Sequence, residues 1–208
     1  MNKRFTSIPL RLLAVVVAIF GILLAPSLVG AAENYGDGTY GSCQYNTCGI
    51  TFGADASVAL DVTPNASGAA TCTVARVEAQ VATESSTGYS LTMGDNDASA
   101  NMVSGASTIP TQATANSASP AVLTANRWGY RVDGTAGFGS GPTSAVSSGT
   151  VPSVTFAKIQ TGTPDVITNS ASPASPYAST FIWYGVCADT TTPSGSYTDD
   201  VVYTAVVN

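Results

Sequence analysis

Apolar side chains recur at every second position over much of this chain, and that period restricts its fold more than any other feature. Tyr89, Leu91 and Met93 alternate with Ser90 and Thr92, and Trp128, Tyr130 and Val132 with Gly129 and Arg131. Val58, Leu60 and Val62 keep the same phase up to Pro64-Asn65, as do Val154 with Phe156, and Tyr197, Val201, Tyr203, Ala205 and Val207. Such a period places one set of side chains on one face of a β-strand. Phe181, Trp183 and Cys187 share a phase, with Gly185 between them. Residues 72–81 read as one long strand. Its apolar phase slips from Cys72 and Val74 to Val77, Ala79 and Val81, which predicts a β-bulge near Ala75-Arg76. Turn chemistry closes these runs at Gly94-Asp95-Asn96-Asp97, Asp133-Gly134 and Thr192-Pro193-Ser194-Gly195. Residues 98–126 and 160–176, rich in Ser, Thr, Ala, Asn and Pro, read as long loops or irregular edge pieces. No amphipathic helical period follows residue 32. The pattern predicts an all-β fold, an antiparallel immunoglobulin-like β-sandwich of seven or eight strands.

The first residues read as an export signal. Lys3, Arg4 and Arg11 precede an apolar run over residues 12–24, Pro26-Ser27 break it, and Val29-Gly30-Ala31-Ala32 offer small residues for cleavage. The competing reading is an uncleaved anchor, since the uncharged stretch 12–32 is long enough to span a bilayer; the break and the small-residue end favour cleavage. The expected organisation is a signal peptide at 1–32, a Tyr/Gly-rich, disulfide-pinned segment at 33–49 and a sandwich domain at 50–208. Without the signal, Arg76, Arg127, Arg131 and Lys158 face 13 acidic side chains, a net charge of −9. That balance repels nucleic acid and anionic membrane surfaces. The expected location is secreted or on the outer cell surface, with no membrane contact after signal cleavage.

Four cysteines in an exported chain imply disulfides, and they allow three pairings. The favoured pairing is Cys43–Cys48, closing a small loop, with Cys72–Cys187 joining strands distant in sequence and facing each other across the core. Trp183 shares the phase of Cys187 and is expected to pack near that bridge. A four-thiolate zinc site lacks its usual CxxC spacing.

The chain contains no histidine, and Lys158 is its one lysine beyond residue 32. Ser-His-Asp and Cys-His catalysis and histidine metal sites therefore have no residues to use. Carboxylate-dependent glycoside cleavage retains Glu78, Glu84 and scattered aspartates. Asp95 and Asp97 are weak calcium candidates, with Glu84 or Asp133 as companions, against the plainer reading of a turn. Asp199-Asp200 reads as a solubilising edge feature. Lys158 reads as an edge-strand lysine, or else as a crosslinking partner of Asn169 or Asn208. No cofactor is implied, and a non-enzymatic role is expected.

The segment Pro193-Ser194-Gly195-Ser196-Tyr197-Thr198-Asp199-Asp200-Val201-Val202-Tyr203-Thr204-Ala205 resembles the closing hairpin of spore-coat-U-like and related fimbrial β-sandwich proteins. Thr87-Gly88-Tyr89-Ser90-Leu91 and Asn126-Arg127-Trp128-Gly129-Tyr130 resemble segments of WxL-like bacterial surface proteins. The WxL motif itself is absent, because Trp128 is followed by Gly129 and Tyr130, and Trp183 by Tyr184 and Gly185. The resemblance implies a surface β-sandwich without catalysis. The expected function is a structural or adhesion protein, in a fimbria-like form. Tyr35, Tyr40 and Tyr45, which recur every five residues, are its contact candidates. The alternative is a secreted carbohydrate- or ligand-binding module using exposed Trp128 and Tyr130. Expected partners are other surface proteins, further copies of the chain, or glycans on host or partner cells.

Overall fold

The longest strands, β4 (Thr71–Thr83) and β13 (Ala174–Ala188), pair antiparallel along almost their whole length. They belong to a computed structural model that describes residues 39–40, 43–44, 49–113, 116–141, 143–150 and 152–208. The expected signal peptide, Tyr35, Tyr45 and Cys48 lie outside the described residues, and so does the expected Cys43–Cys48 bridge. In chain order the other strands are β1 (Thr39–Tyr40), β2 (Cys43–Gln44), β3 (Ile50–Ala54), β5 (Tyr89–Asp95), β6 (Asn101–Ser104), β7 (Ser107–Pro110), β8 (Ala121–Val122), β9 (Arg127–Val132), β10 (Val146–Gly149), β11 (Thr155–Phe156), β12 (Asp165–Ser170) and β14 (Val201–Val207). Among the described residues there is no α-helix. The chain is all-β, and its paired strands are antiparallel.

Two sheets face each other. The larger runs β10-β4-β13-β9, and β3 continues along the β4 edge that β10 leaves free. The smaller runs β12-β5-β14. Between them lie Val77, Ala79 and Val81 from β4, Ile182, Tyr184 and Val186 from β13, Trp128, Tyr130 and Val132 from β9, and Leu91, Met93 and Ile167 from the smaller sheet. The even phase of β13 and β9 therefore points into the sandwich, as the period-two reading requires.

The odd phase of the same strands points away, towards a second buried cluster. Cys72, Val74 and Cys187 meet Leu123 and Phe156 there, with Trp183 packed against them. Gly185 lies under this cluster, and a Cβ at that position would sit 2.9 Å from the Phe156 ring and 3.0 Å from Leu123. The apolar slip in β4 thus marks a change from one buried face to the other, not the expected bulge. Its register with β13 is continuous from Val81 opposite Ala178 to Thr71 opposite Ala188. The irregularity falls instead between Ala174 and Ala178, around Pro176, which has no amide hydrogen to donate.

Cys72 and Cys187 are bonded, with their Cα atoms 4.0 Å apart. They are direct neighbours in the β4–β13 ladder, so the bridge lies within one sheet and does not cross the core as expected. Trp183 does pack against the cluster that contains it.

Three further expectations change. Residues 98–126 and 160–176, expected as long loops or irregular edge pieces, hold ordered strands: β6, β7 and β8 in two-stranded ladders, and β12 at the edge of the smaller sheet. Val58, Leu60 and Val62 turn inward on an extended segment that joins no ladder. It is tied down instead by side chains, the Thr71 and Thr73 hydroxyls donating to the carbonyls of Thr63 and Asp61. The C-terminal segment that resembles a closing hairpin is not one. Residues 189–200 carry the chain from β13 in one sheet to β14 in the other, where it pairs with β5.

The cysteines close a loop with a sequence separation of 115. Replacing both by alanine should lower unfolding free energy by about 4–5 kcal/mol in the chain-entropy account. Urea denaturation of the oxidised protein and the double variant measures this, and a loss below about 1 kcal/mol would contradict it.

Candidate functional site

Beyond the second cluster, the outer face of the β4–β13 ladder is open to solvent. Alternation brings Arg76, Glu78 and Gln80 of β4 to this face, opposite Trp183, Phe181 and Ser179 of β13. Arg76 lies over the Phe181 ring at 4.3 Å and 5.9 Å from the Trp183 ring. Phe181 is 39% exposed. Glu78 accepts hydrogen bonds from Gln80 Nε2 at 2.9 Å and from the Ser179 hydroxyl. Those bonds, Gln80 first, hold its carboxyl below the usual carboxylate range. A general acid needs the opposite shift, so Glu78 is poorly suited to the acid half of a glycosidase pair.

A cleft of about 430 Å³ opens beside this array, lined by Arg76, Asp133, Thr135, Ser179, Phe181 and Trp183 among others. Its wall is fixed by a buried charge. Arg131 is 2% exposed, and its Nε lies 2.6 Å from Asp133 Oδ1 and 2.6 Å from Thr143 Oγ1. Its Nη1 donates to the Phe138 carbonyl at 2.6 Å and the Thr155 carbonyl at 3.3 Å. Asp133 also accepts the Thr143 amide at 2.8 Å. Burial opposes ionisation of Asp133, but the Thr143 hydroxyl and amide and the Arg131 guanidinium outweigh it and hold the carboxyl low. Gly141, at φ 60°, packs on this carboxylate, where a Cβ would come within 2.6 Å. Three chain segments therefore converge on one guanidinium.

A second cleft, about 490 Å³, lies at the other end of the sandwich, between residues 55–60 and the start of β14. Asp199 and Asp95 meet at its edge, and the Oδ2 atom of each is buried without a hydrogen-bond partner. Burial first, then the negative charge of Asp95, pushes Asp199 up to about 7; burial raises Asp95 as well. Asp199 was expected to be a solubilising edge residue and is instead half-buried against a like charge.

The sequence-derived candidates separate accordingly. Trp128 and Tyr130, expected to be exposed, are 3% and 0% exposed. Trp128 stacks on Tyr184 and donates Nε1–H to the Ala100 carbonyl at 3.1 Å. The Tyr130 hydroxyl donates to Asp165 at 2.7 Å. Tyr40 lies in β1, which pairs with β2 carrying Cys43. Asp95 and Asp97 each give an Oδ1 to a turn amide, from Asp97 and Ser99. Their proposed companions are elsewhere: Asp133 is bound by Arg131, and Glu84 precedes β5 at the end opposite Asp95. Among the described residues no three acidic or cysteine side chains converge to hold a metal ion. Lys158 is half-buried two residues before Gln160, whose carbonyl accepts the Asp95 amide. Asn208 binds Asn169 at 3.1 Å at the other end of β5, so neither asparagine is placed beside Lys158.

Sequence reasoning missed the Arg76–Phe181–Trp183 array. The signal for it was available: both phases of residues 181–184 are aromatic or apolar, and only one can enter the sandwich. Nothing in sequence spacing pointed to Asp95 meeting Asp199. No family model, curated protein or solved structure matches this chain.

Two stability measurements check this description. Arg131→Met strands Asp133 and the buried carbonyls, and should cost about 3 kcal/mol in urea denaturation; a cost below about 1 kcal/mol would contradict it. The Asp199 carboxyl gains proton affinity on folding, so its contribution is full below about pH 4 and is lost as pH rises through about 7. Allowing for solvent screening, wild type should lose about 1–2 kcal/mol relative to Asp199→Asn between pH 4 and 8. Parallel pH dependences would contradict the pairing with Asp95.

Proposed function

We propose that this is a non-catalytic structural and adhesion protein of the cell exterior, which docks through the outer face of its β4–β13 ladder. The observation that carries the reading is the Arg76–Phe181–Trp183 array on a disulfide-stapled sheet, with Arg76 and Phe181 exposed and Trp183 half-buried against the disulfide cluster. Large aromatics and arginine supply most of the binding energy in protein contacts at low conformational cost. The residues weighed for chemistry support it too: Glu78 is tied to Gln80 and Ser179, and Asp133 to Arg131 and Thr143. Export, expected from the N-terminal sequence, accounts for the paired cysteines.

A second reading is self-association through the smaller sheet. Val166, Val202 and Val206 are 48%, 42% and 48% exposed, and β14 is an edge strand of its sheet. Unpaired, uncharged edges of this kind add further strands.

Beads coated with the oxidised protein test the first reading. They should adhere to intact cells, and Phe181→Ala with Arg76→Ala should reduce adhesion at least about tenfold with the unfolding midpoint unchanged. Adhesion that survives this variant but fails with Val202→Lys would move the function to the smaller sheet. Turnover of a polysaccharide would overturn the non-catalytic reading.

A further inference from the structure

We infer that the cleft beside Phe181 and Trp183 is a docking site for the neutral pyranose ring of a glycan. The inference rests on the adhesion reading and names the ligand class of its surface. Four features of the cleft select this chemistry. Its volume, about 430 Å³, falls in the range of small-ligand sites. Its aromatic component is a pair of rings two residues apart on one strand, about 7 Å along the chain. Arg76 covers one face of Phe181, and the ring surface that it leaves open suits the C–H face of a pyranose.

The polar component is equally specific. Arg76, stacked over Phe181, presents a planar set of N–H donors at the rim, with little conformational freedom left to lose. Asp133, held ionised and oriented by Arg131 and Thr143, is a preorganised acceptor. Ser179 and Thr135 add hydroxyls that both donate and accept. Vicinal sugar hydroxyls need such alternating donors and acceptors around a stacked ring.

Charge decides between glycan classes. One guanidinium enters the cleft, and Glu78 and Asp133 stand beside it. The surplus positive charge that phosphate, sulfate or uronate groups require is absent from this set. A neutral ring meets no such penalty.

Isothermal titration calorimetry on the full oxidised chain tests the inference with neutral oligomers of glucose, mannose, galactose and N-acetylglucosamine, alongside polygalacturonate oligomers. At least one neutral oligomer should bind saturably and alter tryptophan emission. Phe181→Ala and, separately, Arg76→Gln should weaken it at least about tenfold; the second, at an exposed position, keeps the test valid if the first fails to fold. Binding to acidic oligomers alone, binding to none, or binding unchanged in both variants would overturn the assignment. If no sugar binds while bead adhesion still depends on Phe181 and Arg76, the glycan assignment falls and the adhesion reading stands.

Discussion

The pairing of β4 with β13 is the constraint on which the rest of the structure depends. Each residue of that ladder contributes to one of two buried faces or to the exposed array, and the other strands attach to its margins. β9 extends it on one side, while β10 and β3 share the other. The two strands are far apart in sequence, so closing them carries a large entropic cost before any packing offsets it. Cys72–Cys187 holds that closure at one end of the register. A bridge within a sheet does what a bridge between sheets would not: it fixes strand register, and with it which side chains face solvent.

The scarcity of charge explains why single ionic contacts matter here. A buried guanidinium is tolerated only when its donors are satisfied, and Arg131 satisfies them with an aspartate, a threonine and two carbonyls. The loop that supplies these partners also forms the cleft wall. Stability and site geometry are therefore coupled on this side of the sheet. At the far end the arrangement is reversed: Asp95 and Asp199 bring like charges together, and the segment entering β14 is held best when one of them carries a proton. The two ends of the sandwich respond to acid in opposite directions.

Much of the fold was legible from period-two alternation. The inward sets Tyr89/Leu91/Met93 and Trp128/Tyr130/Val132 face the core as their spacing implies. What alternation does not encode is how many faces of a strand are buried. In β4 the change of phase at Ala75-Arg76 looked like a bulge because only one buried face was considered; Leu123 and Phe156 provide the second. The same ambiguity turned Trp128 and Tyr130 into surface candidates, although their own period placed them inside. The site was far less legible. Arg76 and Phe181 are about a hundred residues apart, and Asp95 and Asp199 equally so; only the strand pairing brings them together. Lys158, conspicuous as the one lysine beyond residue 32, sits apart from both asparagines that chemistry suggested for it.

Hydroxyl-radical footprinting of the oxidised protein, bound to intact cells and free, tests the central claim most directly. The account predicts protection of Phe181 and Trp183 on binding, with Val202 and Val206 of β14 unchanged. Protection confined to β14, with Phe181 and Trp183 as reactive as in free protein, would contradict it.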